Sequence, residues 1–123
     1  MPGARILVID DNAGVVNLLA ASLGEEGHTV VSALTSDEGL ELVTRFQPDL
    51  VLLDVVLPGM SGIEVLKRIR TINPSTRVIM LTGNVDPSDV RKALELGALA
   101  YVDKPFDFSH LKRLIARALR DGG

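Results

Sequence analysis

The stretch Pro48–Gly59 constrains the fold of this chain most strongly, because it places an uninterrupted apolar run between two turn signals. The apolar residues Leu50–Leu53 lead directly into the carboxylate of Asp54, and a Pro-Gly pair follows shortly afterwards. A short apolar run with such flanks is typical of a strand buried on both faces. Asp54 then lies at the carboxyl end of that strand, where open α/β sheets bind their ligands. A carboxylate at this position can bind a cation, act as a nucleophile or cap a helix.

Strand-like and helix-like segments alternate along the whole chain. Apolar runs that begin near residues 6, 29, 50, 78 and 100 are separated by segments with apolar residues at helical spacing. A residue that favours a helix N-cap precedes each of those segments; these are Asn12, Thr35, Ser61, Asp86 and Asp107. The alternation predicts an α/β fold, with a doubly wound five-stranded parallel sheet, helices on both faces and right-handed crossovers.

Composition limits the kinds of protein this chain can be. Its 123 residues fit one domain, which we assign to 1–123 with a core over about 5–120. The net charge of -3 argues against direct binding of nucleic acid by this segment. The chain has no cysteine, which fits a reducing cytoplasm, and we expect a cytoplasmic protein. It has no apolar stretch as long as a membrane span, so we expect no membrane partner.

Polar residues stand at the carboxyl end of four of the five predicted strands. They are Asp10 and Asp11, Asp54, Thr82 and Lys104. Each residue alone is well explained as a cap, a turn residue or a solvated side chain, but chance does not readily place all of them at strand ends. If those strands are neighbours, the side chains converge on one edge of the sheet. Three close carboxylates repel one another unless a cation joins them, and oxygen-only ligands select a hard ion such as Mg²⁺ or Mn²⁺.

The same residue types also match the requirements of phosphoryl transfer. A carboxylate can serve as the nucleophile, a divalent ion and a lysine neutralise charge, and a hydroxyl donates to phosphate oxygens. These are the properties of Asp54, the predicted ion, Lys104 and Thr82. The sequence therefore favours a phosphoacceptor site centred on Asp54.

Four motifs, in this order and spacing, resemble the receiver domain of two-component response regulators, the CheY-like family. They are Val8–Asn12, Leu52–Gly62, Leu81–Gly83 and Lys104–Phe106. The resemblance covers nearly the whole chain, and all four motifs together are far more specific than any one of them. It implies a sheet with strand order 2-1-3-4-5.

The resemblance also implies roles for individual residues. Asp54 would be the phosphoacceptor; Asp10 and Asp11 would hold Mg²⁺ together with Asp54 and the backbone carbonyl of Val56. Lys104 would contact the phosphoryl group, and its peptide bond to Pro105 would be cis. Thr82 and Tyr101 would form the switch, and Val56, Gly83 and Asn84 would flank the pocket.

The implied function is a signalling switch that takes a phosphoryl group from a sensor histidine kinase or a phosphotransfer protein. We expect no enzyme activity beyond the chain's own phosphorylation and dephosphorylation. The region of the fourth helix, fifth strand and fifth helix would change on phosphorylation and is a possible homodimer surface. The cognate kinase, the output and the presence of a fused output domain stay open.

Three alternatives remain at this stage. A phosphorylation-independent pseudo-receiver would use the fold for protein contacts alone. A phosphohydrolase of the haloacid dehalogenase type would want a second carboxylate two residues after Asp54, where this chain has Val56. A flavin- or nucleotide-binding domain would want a phosphate-binding loop after the first strand, where Asp10 and Asp11 would repel phosphate unless a metal is present.

Overall fold

The computed structural model describes residues 3–83 and 86–121, which form alternating strands and helices. The strands are β1 (Arg5–Ile9), β2 (Thr29–Ala33), β3 (Leu50–Asp54), β4 (Arg77–Thr82) and β5 (Ala100–Asp103). The helices are α1 (Ala13–Glu25), α2 (Ser36–Phe46), α3 (Gly62–Ile72), α4 (Pro87–Glu95) and α5 (Phe108–Asp121). The predicted strand starts lie within one residue of these bounds.

All the strands lie parallel in a single sheet with the order β2-β1-β3-β4-β5, which confirms the predicted fold class. β3 lies at the centre of the sheet between β1 and β4, and its residues Leu50–Leu53 are completely buried. Ile9 pairs with Leu53, and Asp54 pairs with Leu81. The polar residues that follow these positions are therefore brought to one edge of the sheet.

Successive side chains of the strands point alternately into two apolar layers, one on each face of the sheet. Leu50 and Leu52 point into a layer that also contains residues of α1 and α5. Val51 and Leu53 point into the opposite layer, with residues of α2, α3 and α4. A sheet covered on both faces needs apolar residues at every position of its central strand, and this explains the unbroken run before Asp54.

The predicted N-caps hold the helix starts. Asn12, Thr35, Ser61 and Asp86 each accept a hydrogen bond from a backbone N–H in the first turn of the following helix. Asp107 does the same for α5, since its Oδ1 accepts from the N–H groups of Ser109 and His110. In a standard capping box, the Glu38 carboxylate would accept from the N–H of the N-cap residue, Thr35. Here it accepts instead from the N–H of Leu34, one residue earlier in the chain.

Glycines follow the ends of two helices. Gly27 and Gly97 adopt φ values of +92° and +87° just past α1 and α4, where a residue without Cβ is favoured. No helix in the described parts of the chain combines the length and apolar character that crossing a membrane requires.

Candidate functional site

Asp10, Asp54 and Thr82 lie together at the carboxyl edge of the sheet, and all three side chains are buried. Asp10 follows β1 directly, Asp54 ends β3 and Thr82 ends β4. Asp10 and Thr82 have no exposed surface, and Asp54 is 5% exposed. Burying carboxylates costs free energy unless they are paired, so the contacts that compensate them define the site.

Lys104 reaches over both buried carboxylates from the end of β5. Its Nζ lies 2.6 Å from Asp10 Oδ2 and 3.1 Å from Asp54 Oδ2. The contact with Asp54 is also aligned as a hydrogen bond, in which Lys104 donates. Among the residues that the structure describes, Asp10 Oδ2 is buried without an aligned hydrogen-bond partner, so its contact with Lys104 is a close ion pair only. One ammonium group thus faces two carboxylates.

Backbone N–H groups bind the remaining oxygens of these two residues. Asp54 Oδ1 accepts from Val56 N–H at 3.1 Å, and Asp10 Oδ1 accepts from Asn12 N–H at 2.9 Å. Both contacts are turns in which a carboxylate binds the amide two residues further along the chain. They fix the direction in which each carboxylate presents its second oxygen.

The electrostatic balance raises the pKa of both Asp54 and Lys104. For Asp54, burial raises the pKa and outweighs the opposing hydrogen bonds from Val56 and Lys104. For Lys104, burial alone would lower the pKa, but the close contacts with the negative charges of Asp10 and Asp54 raise it above its ordinary value. Two carboxylates contact a single ammonium group, so Lys104 can balance only one of their two negative charges when both are ionised.

Asp10, Asp11 and Asp54 each offer a carboxylate oxygen, and these atoms lie within 4.8 Å of one another. Asp11 is exposed at the rim, whereas the other two are buried. The donor set consists only of oxygen, which suits Mg²⁺ or Mn²⁺, and Asp10 Oδ2 is a buried anionic atom that lacks a directed donor. The residues present therefore fit a hard divalent cation.

Thr82 and Tyr101 touch each other next to this cluster. The Tyr101 hydroxyl donates to Thr82 Oγ1 at 3.3 Å, and Thr82 Oγ1 donates in turn to the carbonyl of Gly83 at 3.3 Å. Tyr101 is half-buried, so its ring already packs against the layer formed by α2, α3 and α4. The two residues assigned to a switch thus share one hydrogen bond in this structure.

The other predicted site residues lie around the same edge. Val56 is 64% exposed just beyond Asp54, and Gly83 is exposed just beyond Thr82. The peptide bond between Lys104 and Pro105 is cis. Asn84, predicted to flank the pocket, lies outside the described residues.

Ser36 and His28 are polar residues near strand ends that were not identified from the sequence. Ser36, at the start of α2, is completely buried and hydrogen-bonds the loop after β3. His28 is half-buried and accepts a hydrogen bond from Ala4 N–H through Nδ1. Only a helix-start position hinted at Ser36, and the sequence carries no signal for the His28 contact.

Comparison with known proteins agrees with this geometry. The model of the response regulator receiver domain family matches residues 6–116. Sporulation initiation phosphotransferase F of Bacillus subtilis is 38% identical over 119 residues, which cover 97% of this chain and 96% of that protein. A CheY-like response regulator receiver domain protein from Methanospirillum hungatei has a structure with a TM-score of 0.94 and 32% identity, covering 98% of this chain and 96% of that one.

Other relatives are longer. The alkaline phosphatase synthesis transcriptional regulatory protein PhoP of Bacillus subtilis is 37% identical over 116 residues, but the match covers only 48% of its length. This chain therefore spans about half the length of such transcriptional regulators. It belongs to the response regulator receiver domain family of two-component systems.

Proposed function

We propose that this chain is a phosphorylation switch in which Asp54 accepts a phosphoryl group from a phosphohistidine of a sensor histidine kinase or phosphotransfer protein. The observation that carries the proposal is the position of the Lys104 ammonium group between Asp10 and Asp54, beside a carboxylate set that fits a divalent ion. Membership of the receiver family supports it. So does the similarity to sporulation initiation phosphotransferase F of Bacillus subtilis, since the match covers nearly the whole of both chains.

The transfer step involves the side chains of Asp54 and Lys104 and the backbone N–H of Val56. A carboxylate oxygen of Asp54 attacks the phosphorus, the bond from phosphorus to the donor imidazole nitrogen breaks, and the electron pair leaves with the imidazole. The product is an acyl phosphate on Asp54. Lys104 exchanges its contact with Asp54 for a phosphoryl oxygen, while Val56 N–H continues to orient the carboxylate.

Asp10, Asp11, Asp54 and the backbone carbonyl of Val56 would hold Mg²⁺ or Mn²⁺ at this edge. When bound, the ion neutralises charge on the transferring phosphoryl group. Without the ion, the carboxylates repel the negatively charged phosphoryl group, so we expect phosphorylation to require the divalent ion.

The response to phosphorylation passes through Thr82 and Tyr101. A phosphoryl oxygen on Asp54 competes with the carbonyl of Gly83 for the proton of the Thr82 hydroxyl. As this hydroxyl moves towards the phosphoryl group, the hydrogen bond that it accepts from Tyr101 is broken. Loss of the Tyr101 bond frees this ring to change position, and the surface of α4, β5 and α5 changes with it. This is a two-state element biased by a local change in charge.

This surface is the proposed contact with a partner, a fused output domain or a second copy of the chain. The chain itself would be no enzyme toward external substrates, since the acyl phosphate forms on its own side chain. A pseudo-receiver that works without phosphate is the alternative function.

The deciding experiment is incubation with acetyl phosphate and Mg²⁺, followed by intact-mass measurement. Wild-type protein should gain the mass of one phosphoryl group, and this gain should disappear with Asp54→Ala or when a chelator removes the ion. Asp37→Asn, which changes an exposed carboxylate on α2, is the matched control and should behave as wild type. Wild-type protein that gains no phosphoryl group would favour the pseudo-receiver.

A further inference from the structure

The loop between β3 and α3 carries Val56, yet its conformation is held from outside by a side chain on α2. Ser36 Oγ donates to the carbonyl of Pro58 at 3.0 Å and accepts from the N–H of Met60 at 3.0 Å. Ser36 is completely buried, whereas the loop residues that it binds are partly exposed. A single hydroxyl therefore pairs one carbonyl and one amide across the tip of the loop.

Gly59 allows the loop to close around this hydroxyl. Its φ is +93°, and a Cβ at this position would lie 2.8 Å from Ser36 Oγ. A side chain here would meet both an unfavourable backbone conformation and a steric contact. The tip of the loop is thus shaped to bring its backbone onto Ser36.

The base of the same loop is fixed separately. Gly62 N–H donates to the carbonyl of Val55 at 2.7 Å, and Val55 N–H donates to the carbonyl of Leu81 at 3.1 Å. A Cβ on Gly62 would lie 2.2 Å from the carbonyl oxygen of Asp54, so the start of α3 approaches the end of β3 very closely. Val56 lies between the fixed base and the tip held by Ser36.

The start of α2, which carries Ser36, packs in turn against the end of β1. A Cβ on Gly39, in the first turn of α2, would lie 2.6 Å from Ile9 Cδ1, so this helix packs tightly against the end of β1. Asp10 N–H donates to the carbonyl of Ala33, three residues before Ser36. Ser36 thus connects the loop that carries Val56 to the segment that positions Asp10.

We propose that Ser36 is a positioning residue for the divalent-ion site, because it fixes the backbone of the β3–α3 loop relative to Asp10 without touching the ion or the phosphoryl group. The inference rests on the proposed function, which assigns the Val56 carbonyl to the ion. Groups that orient metal ligands without binding the metal themselves commonly matter for affinity, and their removal weakens metal binding.

The test compares Ser36→Ala with Thr35→Ala, which removes the neighbouring N-cap hydroxyl of the same helix but no bond to the loop. Affinity for Mg²⁺ alone is measured by calorimetric titration, and exchange of the Met60 and Val56 amide hydrogens is measured by NMR. Ser36→Ala should weaken Mg²⁺ binding by about 10-fold and speed exchange at Met60. Thr35→Ala should lower thermal stability but leave Mg²⁺ affinity unchanged.

Gly59→Ala disturbs the same contact from the exposed loop side and serves as a second variant if Ser36→Ala does not fold. It should also weaken Mg²⁺ binding and speed exchange at Met60. Equal Mg²⁺ affinity in wild type and in whichever of these variants folds would overturn the role of Ser36, as would equal weakening by Thr35→Ala. Wild-type protein that neither bound Mg²⁺ nor accepted a phosphoryl group would contradict the proposed function itself. That outcome differs from one in which wild type binds Mg²⁺ and the variants bind it equally well, which would contradict only the role of Ser36.

Discussion

Asp54 and Arg70 place charges at opposite ends of the same sheet, and their surroundings differ in kind. Arg70, on α3, is half-buried near the amino ends of β4 and β5. Its guanidinium donates to the carbonyls of Leu96 at 2.8 Å and Gly97 at 2.9 Å, and also to that of Thr76. Asp54 shares one ammonium group with a second buried carboxylate.

Burial disfavours the charge in both places, since it lowers the pKa of Arg70 and raises that of Asp54. At the amino end, neutral carbonyls accept from the guanidinium, and within residues 3–83 and 86–121 no carboxylate forms an ion pair with it. At the carboxyl end, two carboxylates share Lys104, and Asp10 Oδ2 has no directed donor. The first arrangement satisfies its charge with neutral acceptors of the chain, whereas the second includes a carboxylate set that fits a divalent cation. Changes at the two ends should therefore respond differently to Mg²⁺.

Removal of the Arg70 charge should have the largest effect. Arg70→Met leaves three carbonyls without their donor and should lower the free energy of unfolding by about 3 kcal/mol. Urea denaturation with and without Mg²⁺ measures this loss, and it should be the same in both conditions. Arg68→Met, at an exposed position of the same helix, should change stability by less than about 0.5 kcal/mol. A similar loss in both variants would mean that these hydrogen bonds do not stabilise the fold.

Removal of the Lys104 charge should have a smaller effect that depends on the ion. Lys104→Met leaves Asp10 and Asp54 without their shared cation and should lower the free energy of unfolding by about 2 kcal/mol in a chelating buffer. Mg²⁺ should restore much of this loss because it supplies the missing charge. Lys67→Met, on the exposed face of α3, is the control. A loss that Mg²⁺ does not reduce would contradict the proposed difference between the two ends.

Neutralisation of Asp54 should have the smallest effect and the opposite sign. Without Mg²⁺, Asp54→Asn should raise the free energy of unfolding by about 1 kcal/mol near neutral pH, because it removes one of two crowded carboxylates. With Mg²⁺ the wild type should regain the advantage. Denaturation curves in both buffers check this prediction, and destabilisation by Asp54→Asn in chelator would refute it.

The same variant predicts a pH dependence. The pKa of Asp54 is higher in the folded chain than its ordinary value of 3.8, so the folded state holds this proton more tightly than the unfolded state does. Wild-type stability should therefore improve relative to Asp54→Asn as pH falls through the raised pKa. The advantage of Asn should be full above that pKa and should vanish below about 3.8, which a series of denaturation curves can follow.

The sequence predicted the alternation of elements and the helix caps because these features depend on residues close together in the chain. Asn12 and Ser61 act on amides within one turn, so their effect can be read locally. The apolar run of β3 likewise reports burial on both faces. The strand order was different in kind, since it came from the resemblance to a family rather than from periodicity.

The contacts of Ser36 and Arg70 could not be predicted in the same way. Ser36 meets Pro58 and Met60, 22 and 24 residues further along, and Arg70 meets Leu96 and Gly97 at separations of 26 and 27 residues. A serine at a helix start and an arginine on an amphipathic helix are usually solvated. Only the three-dimensional approach of distant turns gives these side chains their partners.

The hydrogen bond between Tyr101 and Thr82 also places an intrinsic chromophore next to the site. The chain has one tyrosine and no tryptophan, so its near-ultraviolet absorption and emission arise chiefly from this single phenol ring. The hydroxyl of that ring is hydrogen-bonded to Thr82. Thr82 directly follows Leu81, which pairs with Asp54 in the sheet. Events at the carboxyl edge can thus be followed by spectroscopy in the unlabelled chain.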